Sequence, residues 1–215
     1  MKNVIITGGT GMIGSLVLEA CLNRVDVANV TSIVRKATGR KHPKLVEVVH
    51  DDFLDFSAIK SHLRKQDVCF YCIGVYTGQV PTEEFKVITV DYTKAFAEAL
   101  KKESPDAAFC FLSGRGADSS EKSAILFARE KGIAENILLG LNFPRVHFFR
   151  PGYIYPVTPR TEPNLGYKVM RVLYKIIAPI VPRTGVPSTK LAQKMVSVGL
   201  EGGDKIYYEH RDIFV

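Results

Sequence analysis

Glycines at 8, 11 and 14 follow the apolar run Val4-Ile5-Ile6-Thr7 in the spacing G-x-x-G-x-x-G, and an amphipathic stretch from Met12 to Leu22 follows at once. A strand that turns sharply into a helix through such glycines can press its backbone against a pyrophosphate. The first glycine permits the tight turn, the second the close approach, and the third the packing of helix on strand. The phosphates would then rest on unpaired N–H groups at the positive end of the helix dipole. Thr10, Met12 and Ile13 share this candidate cofactor-binding turn. An ordinary glycine turn is the competing reading, and the strand before and helix after weigh against it.

Residues just past the second strand of such a unit face the adenosine ribose, where an acid bonds the 2′-hydroxyl and a base accepts a 2′-phosphate. Arg35 and Lys36 stand there without an acid, which favours NADP(H) over NAD(H); two solvated surface cations are the plain alternative. Asp52 and Phe53, past the third strand-like run, are candidates to flank the adenine, against a turn cap and a core aromatic. Cys69 and Cys72 form a C-x-x-C, but a spacing of three along a strand points the thiols to opposite faces. A disulfide or metal is therefore not expected, and Cys21 and Cys110 read as small core residues.

These residues need a scaffold, and the pattern supplies one. Strand-like runs recur at Val4 to Thr7, Val30 to Val34, Val46 to Val49, Val68 to Ile73, Ala108 to Leu112 and Val146 to Phe149, with helical patterns between most of them. Near-continuous apolar strands alternating with amphipathic helices imply an α/β fold, a doubly wound parallel sheet with its ligand crevice beyond the strand C-terminal ends. The longest helix is expected from Thr82 to Lys102, opening on a Thr82 cap. Prolines at 156, 159, 163, 179, 182 and 187 break the later chain into short pieces. The expectation is one domain over 1–215, with 151–215 as a small cap over the crevice.

The chain has 215 residues and a formal charge of +7, with its basic residues dispersed. That dispersal argues against nucleic acid and for a phosphorylated cofactor. No run reaches the ~18 apolar residues of a membrane span, and a first strand at residue 3 leaves no room for a secretory signal, so a cytoplasmic protein is expected.

With these motifs assembled, the chain resembles the short-chain dehydrogenase/reductase superfamily, specifically its small atypical, epimerase/dehydratase-like members. The residues that carry the likeness are Thr7 to Gly14, Arg35-Lys36, Cys72-Ile73-Gly74, Leu112 to Asp118, Lys131-Gly132 and Arg150-Pro151-Gly152. The resemblance implies a cofactor cleft lined by Cys72, Ile73 and Gly74, with Pro151, Tyr153 and Ile154 passing beside the nicotinamide. It also implies a Tyr that transfers a proton, a Lys four positions later that holds the ribose, and a Ser that steadies the substrate oxygen. Lys131 takes the lysine position and Ser113 the serine position, but Phe127 stands where the Tyr belongs and Gly114 where relatives often carry a second Ser. The plain readings are a solvated lysine and a serine at a turn. Tyr76, Tyr153 and Tyr155 are the remaining hydroxyl candidates.

Between Gly166 and Pro179 a helix with apolar residues around more than half its circumference is expected. Burial under the cap, a substrate-cavity wall, a homodimer interface or weak contact with an anionic membrane surface would each cover it. The resulting expectation is an NADP(H)-binding protein, a reductase of a small apolar carbonyl compound with impaired acid–base machinery. The alternative is a non-catalytic NADP(H)-sensing regulator or scaffold that acts through a protein partner.

Overall fold

The computed structural model describes residues 1–157 and 185–214. Apolar runs become β1 (Lys2–Thr7), β2 (Val27–Val34), β3 (Leu45–Val49), β4 (Val68–Tyr71), β5 (Ala108–Leu112) and β6 (Arg145–Arg150), followed by the short β7 (Tyr153–Tyr155), β8 (Gly185–Pro187) and β9 (Tyr207–Glu209). Seven strands pair in parallel in the order β3-β2-β1-β4-β5-β6-β9, and β7 pairs with β8 apart from them. This is the doubly wound Rossmann architecture, whose strand order reverses between β1 and β4 and opens the ligand crevice there.

Alternation along the strands splits the core into two layers. Val4, Ile6, Phe70, Cys110 and Phe149 pack with α1 (Met12–Leu22) and the last long helix, while Ile5, Cys69, Tyr71, Phe109, Phe111 and Phe148 face the opposite way. On that second side lie α3 (Tyr92–Glu103), which the short α2 (Thr82–Lys86) precedes, and α4 (Leu126–Gly140). A π turn over Val87–Asp91 joins α2 to α3, so the long helix expected from Thr82 is present with one wide turn. Thr82 does not cap it: Pro81 holds that place, and its carbonyl accepts the Phe85 N–H at 2.9 Å.

β4 ends two residues earlier than expected, and Cys72 and Ile73 leave the sheet. Cys69 lies in one core layer and Cys72 packs against the other. Residues 185–214 of the C-terminal part join the main body. Helix α5 (Ser188–Glu201) buries Leu191, Ala192, Met195 and Val198 in the layer of α1, and β9 extends the main sheet. The apolar helix expected between Gly166 and Pro179 lies outside the described residues.

His147 on β6 is buried, with Nδ1 2.7 Å from the Lys205 carbonyl oxygen, its ring against Tyr208, and Nε2 unpaired among the described residues. Burial holds its pKa below the ordinary value, and the nearby Arg145 charge acts in the same direction. The unfolded chain therefore binds the proton more readily, and stability falls as pH drops below about 6.5. Urea midpoints at about pH 7.5 and about pH 5 should differ, and His147→Asn should narrow that difference.

Candidate functional site

Gly8 takes φ +73° directly after β1. A Cβ on it would stand 2.7 Å from the Cys72 carbonyl group, and a Cβ on Gly14 would stand 2.1 Å from the Gly8 oxygen. Only hydrogen fits at either place, so the turn is wedged against the end of β4. Gly11 donates its N–H to Gly8 oxygen at 2.9 Å and caps α1, with no side chain bonded to the first helical N–H groups. A helix start of this kind, with the N–H groups of Met12, Ile13 and Gly14 in its first turn, suits an anion. The turn therefore fits a dinucleotide pyrophosphate, and Thr10 and Gly11 are its exposed rim.

A cavity of about 260 Å³ opens between this turn and the end of β2, lined by Gly9, Thr10, Ser32, Thr38, Arg40 and Glu47. The Ser32 hydroxyl is fully buried there and unpaired among the described residues. Glu47 accepts the Thr38 N–H at 3.0 Å and also the Thr38 hydroxyl, whose oxygen receives the Arg40 N–H at 3.2 Å. The Arg40 guanidinium pairs with Glu19 on α1 and holds that carboxyl below its ordinary pKa. Arg35 and Lys36, the expected phosphate ligands, are exposed at the strand end and do not line this cavity. The chain turns back through Gly39, at φ +74°, and brings Thr38 and Arg40 to the cavity instead.

The adenine candidates are placed elsewhere. The Phe53 ring is buried against His50, Phe56 and Tyr92, and the Asp52 carboxylate accepts the Leu54 N–H at 3.0 Å. Cys72 and Ile73 are half-buried and Gly74 is exposed as the chain leaves β4. On the far side Pro151 is buried, the Gly152 N–H meets His210 Nδ1 at 3.0 Å, and Tyr153 and Ile154 enter β7 half-buried.

One ridge of α4 meets the end of β5 at three successive points. Residues four apart share a helix face, so Phe127, Lys131 and Glu135 line up. The Phe127 ring covers Gly114 so closely that a Cβ there would lie 2.4 Å from Cζ. Lys131 is buried, donates to the Leu112 carbonyl oxygen at 3.0 Å and lies 4.5 Å over the Phe111 ring. Burial pushes its ammonium pKa down to about 8, opposed by the Glu135 carboxylate. Glu135 is fully buried and accepts the Ser113 hydroxyl at 2.5 Å, together with two N–H groups of Arg150. Arg150 also reaches Glu209 and stacks 4.3 Å from the Tyr207 ring, tying β9 to the site. Ser113 and Lys131 thus both stand where α4 meets the end of β5, and the serine hydroxyl donates to Glu135.

A family model described as NAD(P)H-binding matches residues 8–139. The chain belongs to the NAD(P)H-binding family. Within it, the chain is 30% identical over 156 residues to the rat protein HTATIP2, covering 71% of this chain and 63% of that one, less than two thirds of its length. It is 25% identical over 208 residues to the mitochondrial protein FMP52 of Debaryomyces hansenii, covering 93% and 89%. The crystal structure of the Bordetella bronchiseptica enzyme WbmH in complex with NAD+ superposes with a TM-score of 0.71 at 19% identity, over 97% of this chain and 75% of that one, a likeness of fold. The resemblance to atypical short-chain dehydrogenases stands. The cytoplasmic expectation does not, because fungal relatives are named as mitochondrial proteins. No helix among the described residues is long and apolar enough to cross a membrane.

Glu135→Ala leaves the Arg150 guanidinium, which is 13% exposed, with Glu209 as its ionic partner and leaves the Ser113 hydroxyl unpaired, and should cost about 1–3 kcal/mol of unfolding free energy in urea. Glu135→Gln, which keeps the shape and an acceptor, should cost clearly less.

Proposed function

We propose that this NAD(P)H-binding chain prefers NADP(H) and acts as a reductase of a small apolar carbonyl compound, with its proton-transfer step impaired. The observation that carries the cofactor half is the cavity beside the glycine turn, where Arg40, Thr38 and the unpaired Ser32 hydroxyl suit a 2′-phosphate. Arg35 and Lys36 stand outside it as long, exposed cations that draw the phosphate in. When bound, the nicotinamide supplies a hydride. Lys131 then holds the nicotinamide ribose from the end of β5, and Glu135 fixes Ser113 so that its oxygen presents a lone pair rather than a proton to the crevice.

Phe127 has no proton to give, and general acid catalysis is worth roughly 10²–10⁴-fold, so turnover in this site is slow. The same observation favours a second reading, a cofactor-dependent regulator that reports NADP(H) to a protein partner. Its ground is the tight seat of Phe127 on Gly114, an apolar closure where the hydroxyl pair would stand.

Calorimetric titration should give NADPH binding at least about tenfold tighter than NADH, and Arg40→Ala should remove most of that difference. Equal affinities would sink the cofactor assignment. Oxidation of bound NADPH by aldehydes, ketones or quinones supports the reductase; a flat trace that becomes active only in Phe127→Tyr supports the regulator. NADPH affinity should also fall as pH rises through about 8, where the Lys131 ammonium loses its proton, and Lys131→Met should flatten that profile.

A further inference from the structure

The adenosine-side cavity already contains an anion of its own. Glu47 rises from β3, half-buried, and takes both the N–H and the hydroxyl of Thr38. These two donors on one turn are of the kind that bind phosphate oxygens. Arg40, the single cation lining the cavity, is held by Glu19. The cavity as it stands therefore holds one guanidinium, paired with Glu19, and one carboxylate, Glu47, on the Thr38 donors. An incoming 2′-phosphate carries about −1.5 to −2 charges, and it meets Glu47 on the donors it would use.

We propose that Glu47 acts as an internal stand-in for the 2′-phosphate, occupying the Thr38 donors and thereby setting how strongly this chain discriminates NADP(H) from NAD(H). The inference rests on the cofactor preference proposed above and concerns a residue of that same cavity. Glu47 must release Thr38 before a phosphorylated ribose can settle, whereas a ribose bearing a 2′-hydroxyl can be accepted with the Thr38 contact kept. The side chain is a specificity-determining group in the cavity and takes no part in hydride or proton transfer.

The test is calorimetric titration of the whole protein and of Glu47→Gln with 2′,5′-ADP, 5′-AMP, NADPH and NADH. Gln keeps the length and an acceptor for the Thr38 N–H but removes the charge. The two 2′-phosphorylated ligands should bind about five- to tenfold tighter in the variant, and 5′-AMP and NADH should change by less than about twofold. Glu47→Ala should tighten the same pair at least as much, and unfolding midpoints should accompany both variants to establish that they fold. Weaker binding of 2′,5′-ADP in Glu47→Gln would overturn the proposal by making Glu47 a brace for the Thr38 turn, and so would an unchanged ratio. If the unaltered protein shows no preference for NADPH but Glu47→Gln creates one, the cofactor preference fails while the role of Glu47 stands. Failure of either protein to bind 2′,5′-ADP overturns both.

Discussion

The Gly8 carbonyl lies where Gly14 would carry a Cβ, and Gly8 itself lies against the Cys72 carbonyl. This double contact fixes how close α1 approaches the sheet and how β1 and β4 end beside each other. Any side chain at 8 or 14 would force the helix start away from the strand reversal, and its free N–H groups would no longer border the crevice. The two apolar layers can then be as extensive as they are because parallel strands buried on both faces tolerate nearly continuous Val, Ile and Phe. Binding chemistry is confined to strand ends, where backbone groups emerge from that core.

At the opposite side of the crevice the governing interaction is ionic. Glu135 is fully buried, and its carboxylate is tolerable there because Ser113 and Arg150 satisfy it from two strand ends. Arg150 in turn reaches β9 through Glu209 and Tyr207. The network fixes α4 against β5, and the helix period then places Lys131 and Phe127 without further adjustment. Phe127 on Gly114 and the Lys131 bond to Leu112 are consequences of one helix orientation, so they cannot be varied independently.

Much of this arrangement was legible in the sequence because it depends on local rules. The G-x-x-G-x-x-G spacing, the apolar runs and the four-residue step from Phe127 to Lys131 follow from turn sterics and element periods. What was hidden depends on chain reversals. Arg35 and Lys36 occupy the strand-end position that the rule names, yet Gly39 folds the next residues back, and Thr38 and Arg40 line the cavity. Glu47 shares it from a different strand, a pairing of β2 with β3 that no short motif records. The period of Leu191, Met195 and Val198 was visible, but prolines before it made the whole tail read as pieces, whereas Pro187 is the cap from which α5 starts.

The two halves of the crevice are therefore built to different standards. Beside the glycine turn the helix-start amides, a buried hydroxyl and a guanidinium paired with Glu19 are held in place, and only the Thr38 donors are already taken, by Glu47. On the nicotinamide side a lysine is seated with equal care, but the residue one turn before it is an aromatic ring closed over a glycine. Binding and proton transfer draw on separate residues in this fold, and so the second can be lost while the first is preserved. Through Arg150 the buried ridge of α4 is tied to the β9 edge of the sheet as well as to the end of β5, so the contact that orients Lys131 and Phe127 also bears on that edge.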